Sequence, residues 1–419
     1  MIIKNARIVD PAGGSAHEGD LYIKDGRLCE PFDESLADRV IDARGLAAAP
    51  GLVDLHVHLR DPGQTHKEDI VTGCAAAAAG GVTTLLCMPN TSPVLDSPEL
   101  IRCVIARAAS TGVKVRPCGA VTVGQEGREL TDFKALKGAG AAALSDDGRN
   151  IDSASVMREA LKKAGEEGLL IIAHCEDSGL AGNRAVNEGP VSKALGLPGR
   201  PAIAEELIVA RDAMLAKETG GRLHIAHVSS KGSVDIIRRA KAAGVNISAE
   251  TCPQYFTLTE SAVLEKGTLA RVNPPLRTDE DVRAIIEGLR DGTLDAVSTD
   301  HAPHSAEEKS RGLENAPSGM VGLETSLALA LTRLCGEEGF TLESVIRLMS
   351  ANPAAIAGVP GGSLKIGSPA DIVLFDPDEE WTVEPEKFKS RARNTPFGGF
   401  KLRGRVKYTI ADGKTVYGG

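Results

Sequence analysis

The feature that most constrains this chain is an alternation. Eight short runs of apolar and β-branched residues can be read along it: "LVDLHVH", "VTTLLCM", "VKVRPCG", "AAALSDD", "LLIIAHC", "RLHIAHV", "VNISAETC" and "AVSTDHA". Most are separated by helical stretches such as "KEDIVTGCAAAAAG", "SPELIRCVIARAAS" and "SASVMREALKKAG". Strands that alternate with helices pair in parallel, because each helix carries the chain back to the edge where the next strand starts. Eight such units can close the sheet on itself, which predicts an α/β fold built on a (β/α)8 TIM-type barrel. An open, doubly wound sheet is the competing arrangement, but no run is followed by the G-x-G-x-x-G turn that such folds use to bind dinucleotides. Gly80, Gly165 and Gly244 stand where glycines that close helices belong.

The two ends read differently. Residues 1–50 and 361–419 carry short strand-like segments and Gly-rich turns, among them "MIIKNARIVD", "GDLYIKDGRL", "GSLKIGSPADIVLFD" and "RVKYTIADGKTVYG". Neither end alone has enough strands for a stable sheet. They are therefore expected to pair into one small β domain beside a barrel of residues 51–360. The acidic run "DPDEE" at 376–380 reads as a solvated loop.

The polar residues that end the eight runs carry the chemistry. His56 and His58 end the first, Asp146 and Asp147 the fourth, His174 the fifth, His227 the sixth and Asp300 the eighth. Active sites of such barrels are built at this end of the strands. A single histidine there is more often structural than ligating, but four histidines and two carboxylates converging from five strands are a ligand set. Imidazole and carboxylate without thiolate suit Zn²⁺, Mn²⁺, Fe²⁺ or Co²⁺, with zinc the commonest occupant. Six ligands exceed what one catalytic zinc uses, so two ions sharing a bridging carboxylate are expected. Cys175, beside His174, should point away from whatever His174 faces. His224 shares a strand with His227 at the opposite parity and reads as non-ligating; His17, His66 and His301 lack a converging partner.

His-x-His after the first strand, histidines after the fifth and sixth and aspartate after the eighth resemble the amidohydrolase superfamily. Within it, "DLHVHLRDPG", "CMPNTSPV", "LSDDG", "AHCED", "HIAHVSS", "NPPLR", "STDHAPH" and the ending "NTPFGGFKLRGRV" resemble the long-chain bacterial dihydroorotases. The resemblance implies reversible cyclisation of N-carbamoyl-L-aspartate to dihydroorotate in pyrimidine synthesis. It implies one metal on His56, His58 and Asp300, a second on His174 and His227, and Asp300 as the proton carrier. Many relatives bridge the metals with a carboxylated lysine, but "AALSDDGRN" has none at that place, and the register to His174 favours Asp147 as the bridge. Arg60, Asn90 and His304 are implied to bind the substrate carboxylate, with Asn273 and the backbone at Pro317 and Ser318 on the ring. Serine stands at 318 where the family often has phenylalanine. Arg60 could instead pair with Asp54 or Asp61, and Asn90 could simply cap its turn.

Composition excludes other classes. A formal net charge of −9 and only 3% aromatic residues argue against nucleic acid or an anionic membrane as partner. No run of about 18 apolar residues predicts a membrane span. Eight scattered cysteines without CxxC pairs predict reduced thiols and a cytoplasmic setting. A homodimer and an association with aspartate transcarbamoylase remain open. The alternatives are a hydantoinase, dihydropyrimidinase or allantoinase, and a non-catalytic dihydroorotase-like subunit of an aspartate transcarbamoylase complex.

Overall fold

The computed structural model describes residues 1–12 and 16–418. At its centre are eight parallel strands: Leu52–Val57, Val82–Cys87, Lys114–Gly119, Ala143–Ser145, Leu170–Ala173, Arg222–Ile225, Ile247–Thr251 and Ala296–Val297. Each pairs with the next in parallel. The first and last segments then meet: Val57 bridges His301 in parallel, and the His58 N–H donates to the His301 carbonyl at 2.9 Å. The alternation of the sequence has closed into a barrel.

Side-chain parity sorts the barrel's two apolar layers. Val53, Leu55, Leu86, Met88, Cys118, Ala143, Leu170, Ile172, Ala226 and Ala296 belong to one buried cluster. Residues drawn from so many strands can meet only in the lumen, which Ala354 closes off. Residues of the other parity, such as Leu85, Leu144, Ile171, Ala173, Leu223 and Ile225, pack in the larger cluster shared with the surrounding helices. The same alternation carries Asp147 and His174 inward, and Asp146 and Cys175 outward. The Cys175 thiol lies 4.0 Å from Asp212 on the outer helix Ile203–Thr219.

Helix ends mostly follow the local code. Asp69 caps the helix Ile70–Ala79 in a box with Thr72, and Gly80 closes it. A Cβ on Gly80 would stand 2.0 Å from the Leu323 carbonyl oxygen, so a close approach of backbone requires the glycine. Gly165 does not close its helix. The helix Ala154–Glu167 runs through it, because Gly168, at φ +68°, is the residue that takes the left-handed cap.

The chain ends build a second, eight-stranded and largely antiparallel sheet. The strand Ala47–Pro50 pairs on one side with Ile2–Ile8 and on the other with Ile372–Thr382, which continues into Lys401–Ala411 and Lys414–Tyr417. His17–Lys24 and Arg27–Cys29 extend the other edge. Ile3, Ile8, Leu21, Ile23, Leu28, Ile372, Leu374 and Ile410 fill its core. The acidic run 376–380 is not a loop but part of the strand Ile372–Thr382. The strand bulges there as Asp376 accepts from the N–H groups of Asp378 and Glu379, and Arg403 and Lys407 pair with Asp378 and Glu379. After this strand the chain leaves the sheet and crosses to the barrel mouth, where Asn394 accepts from the His304 N–H at 3.1 Å.

Candidate metal centre and substrate cavity

The strand ends bring six side chains together. His56 Nε2 stands 3.2 Å from Asp147 Oδ1, and His58 Nε2 stands 3.4 Å from Asp147 Oδ2 and 3.1 Å from Asp300 Oδ1. On the other side of the same aspartate, His227 Nε2 lies 3.4 Å and His174 Nδ1 3.8 Å from Asp147 Oδ1. Two ligand groups therefore share one residue: His56, His58 and Asp147, and Asp147, His174 and His227. His56 Nε2 and Asp147 Oδ1 are buried and close, yet neither has a hydrogen-bond partner. That is the pattern of atoms that share a cation rather than a proton, and the donor set fits a divalent metal site. Asp146 takes no part: its carboxylate accepts from the N–H groups of Val121 and Thr122 and from the Thr122 hydroxyl.

Three of the residues around this mouth hold left-handed backbone although they are not glycine: Arg60 at φ +58°, His227 at +37° and Asp300 at +47°. Such conformations cost roughly 1–2 kcal/mol each and persist where the surroundings dictate them. His227 shows why. Parity alone turns it outward with Leu223 and Ile225, and the reversed φ brings its ring back over the mouth. His224, of the inward parity, faces the lumen as a buried partner of Glu250 and Ser248.

Buried hydrogen bonds set the tautomers. His56 Nδ1–H donates to Glu250 at 3.2 Å, His58 Nδ1–H to the Asn90 side-chain oxygen at 2.9 Å, and His174 Nε2–H to Glu176 at 3.1 Å. Each turns the other ring nitrogen into the cluster, as metal ligands require: His56 Nε2 toward Asp147, His58 Nε2 to 3.1 Å from Asp300, and His174 Nδ1 to 2.9 Å from His227 Nε2. Burial opposes charge on Glu176, but His174 and Arg200, 2.7 Å away, outweigh it and hold its carboxyl down at about 2. Burial likewise opposes charge on Glu250, where bonds from His224 and His56 win and keep the pKa well below the usual range. Glu176 and Glu250 were missed in the sequence; "AHCED" offered a signal for Glu176, two residues after His174, whereas Glu250 lies inside an apolar run.

A cavity of about 520 Å³ opens above these groups, lined among others by Arg60, Asn90, Asn273, His304, Pro317 and Ser318. Arg60 is 7% exposed. Its Nε donates to the Pro303 carbonyl at 3.2 Å, and its Nη2 lies 3.3 Å from His304 Nε2. Neither aspartate that could have claimed it does so: Asp61 pairs with Arg107, and Asp54 accepts from the N–H groups of His56 and Thr299. Burial lowers the Arg60 pKa to about 10, which still leaves it charged near neutrality. Burial, with Arg60, Lys67 and Lys309 nearby, holds His304 far below the usual imidazole range, so its ring is neutral. His304 Nε2 contacts the Ser318 carbonyl at 2.9 Å, and the Ser318 hydroxyl donates to the Asn273 side-chain oxygen at 2.9 Å. His66 is exposed, and His301 is a buried partner of Glu68.

Imidazoles and carboxylates clustered at the mouth of a (β/α)8 barrel suit a metal-dependent hydrolase, and the comparisons narrow the class to the cyclic amidohydrolases. A dihydro-orotase-like family model matches residues 45–233. A dihydroorotase of Syntrophotalea carbinolica is 48% identical over 420 residues, covering 100% of this chain and 99% of the relative. One of Pelotomaculum thermopropionicum is 48% identical over 419 residues, with 99% and 98% covered. Among solved structures, an L-hydantoinase (dihydropyrimidinase) from Arthrobacter aurescens aligns with a TM-score of 0.89 at 27% identity, covering 100% of this chain and 96% of its own. The chain belongs to the dihydroorotase family.

Proposed function

We propose that this chain interconverts N-carbamoyl-L-aspartate and (S)-dihydroorotate, with release of water on cyclisation, as a step of pyrimidine synthesis. The observation that carries this is the cation without a counter-ion: among the described residues the buried guanidinium of Arg60 forms no ion pair. A substrate carboxylate would supply one, bound bidentately by the planar fork. Dihydroorotate has that carboxylate; hydantoin and dihydrouracil lack it.

Two zinc ions suit the donor set, one on His56, His58 and Asp300, the other on His174 and His227, with Asp147 shared and no carboxylated lysine. Zinc held there supplies Lewis acidity, polarising a carbonyl oxygen and lowering the pKa of water. In hydrolysis the Asp300 carboxylate takes a proton from the attacking water and delivers it to the ring nitrogen that leaves. In cyclisation it runs the same transfer backwards. Arg60, with neutral His304 and the amide of Asn90, fixes the ring carboxylate. Asn273 and the Pro317–Ser318 turn take the ring edge, so that the reacting carbonyl is held in place before bond making. Eight free thiols suit a reducing cytoplasm, where we place the enzyme.

The test is turnover of dihydroorotate, dihydrouracil, hydantoin and allantoin by the purified protein, beside metal analysis. Turnover of dihydroorotate far above the rest is expected. Equal turnover of hydantoin or dihydrouracil would move the assignment to the hydantoinases, and a metal-free, inactive protein to a non-catalytic subunit.

A further inference from the structure

Lys309 is a buried lysine that the chemistry above does not use. It ends the short helix Ala306–Lys309 and is 4% exposed. Its ammonium forms no ion pair among the described residues; Glu308, the adjacent carboxylate, pairs with Lys67 at 3.0 Å. Instead Nζ donates to three backbone carbonyls: Pro317 at 3.0 Å, Gly319 at 3.0 Å and Arg271 at 3.4 Å. Burying a cation against carbonyls alone is costly, and burial first and then Arg271 push its pKa down to about 7. A methionine would fill such a core position more cheaply, so what the ammonium holds matters.

It holds the cavity wall. Pro317, Ser318 and Gly319 line the cavity, and the Ser318 carbonyl, between the two that Lys309 grips, meets His304 Nε2 at 2.9 Å. His304 in turn lies 3.3 Å from the Arg60 guanidinium. Gly319 packs so close that a Cβ there would stand 2.6 Å from the Ala302 Cβ and 3.2 Å from His304 Nε2, so a small shift of the turn moves the imidazole. We propose that Lys309 is a positioning residue for the substrate carboxylate: its ammonium clamps the Pro317–Gly319 turn, the turn fixes the His304 ring, and His304 with Arg60 receives the carboxylate. This rests on the dihydroorotate assignment.

Steady-state kinetics of Lys309→Met, Lys309→Gln and Lys309→Arg, with metal content and hydrogen exchange of residues 311–319, test it. Metal content should stay at the wild-type value and kcat within about threefold, while KM for dihydroorotate rises about tenfold or more in Lys309→Met. Exchange at 316–319 should speed up in parallel, and Lys309→Arg should recover part of both. Lys309→Gln keeps a neutral donor and covers the case of a misfolded methionine variant; its KM should also rise. A KM and loop protection within twofold of wild type in either folded variant would overturn the clamp. So would a loss confined to kcat with unchanged KM. If the wild type does not turn over dihydroorotate, the assignment fails, and the exchange of 316–319 still tests whether Lys309 holds the turn.

Discussion

Replacing Arg60 by methionine isolates the charge on which, under the proposed function, substrate choice depends. The side chain is 7% exposed, and its pKa of about 10 keeps it charged at pH 7. With dihydroorotate bound, the guanidinium gains a carboxylate; with dihydrouracil bound, it stays buried and unpaired, at a penalty of about 2–5 kcal/mol. At roughly 1.4 kcal/mol per factor of ten, the wild type should prefer dihydroorotate by about 30-fold to several thousand-fold in kcat/KM. Two structural side effects cancel in this ratio. The left-handed backbone at 60 costs methionine and lysine as much as arginine. Loss of the bond to the Pro303 carbonyl, worth about 1 kcal/mol, weakens both substrates alike. Arg60→Met should therefore erase most of the preference, with a far larger loss for dihydroorotate than for dihydrouracil, and Arg60→Lys should recover only part, lacking the planar fork. The assay is kcat/KM for both substrates on the three proteins at matched metal content. A wild type without the preference, or a methionine variant that loses both activities equally, would refute the counter-ion argument.

Three further outcomes are expected. Metal analysis should give two divalent ions per chain, and zinc returned after chelation should restore activity without bicarbonate. Asp147→Ala, which removes the shared ligand, should bind less than one ion, and retention of two would show that another group bridges. Asp300→Asn should lower turnover at least about 10²-fold in both directions; a variant that keeps a tenth of the activity with full metal content would assign the proton transfer elsewhere. Asp212, 1% exposed behind the barrel, has its pKa raised to about 6, chiefly by burial. Because the folded state binds this proton more tightly than the unfolded chain, the protein loses stability as pH rises from about 4 through about 6. Asp212→Asn should remove that loss, on the order of 2–3 kcal/mol at pH 8, and its advantage should shrink by about 1–1.5 kcal/mol at pH 5. Equal urea midpoints for the two proteins at pH 8 would contradict the burial argument.

What the sequence disclosed followed from periodicity. Parity along single strands was enough to select Asp147 over Asp146 and to turn Cys175 away, because each judgement spans only a few residues. His227 was found by its place at a strand end, although its parity is wrong and only a reversed φ brings it over the mouth. Backbone reversal of that kind leaves no trace in a histidine's neighbours. The partners of the clustered histidines were hidden for a different reason. His56 and Glu250 are 194 positions apart, and Asn394 reaches His304 across 90. Glu250 reads as a stray charge inside an apolar strand until the barrel closes around it. Lys309 gave no signal in the sequence, because its carbonyl partners at Arg271, Pro317 and Gly319 meet it only in the folded chain. Gly165 misled because the next glycine, three residues on, was the better cap.

The second sheet has a consequence for how the molecule is made. Its strand Ala47–Pro50 leaves the ribosome early, but its partner Ile372–Thr382 emerges more than three hundred residues later. At about 5–20 residues per second, the early edge waits on the order of 15 seconds to a minute with its backbone groups unpaired. The segment that follows the late strand carries Asn394, which braces His304. A nascent chain that has finished the whole barrel therefore still lacks the Asn394 brace on His304, and under the proposed function a product cut short before Asn394 would bind dihydroorotate poorly. Completion of synthesis, sheet closure and the bracing of His304 arrive in a single late event.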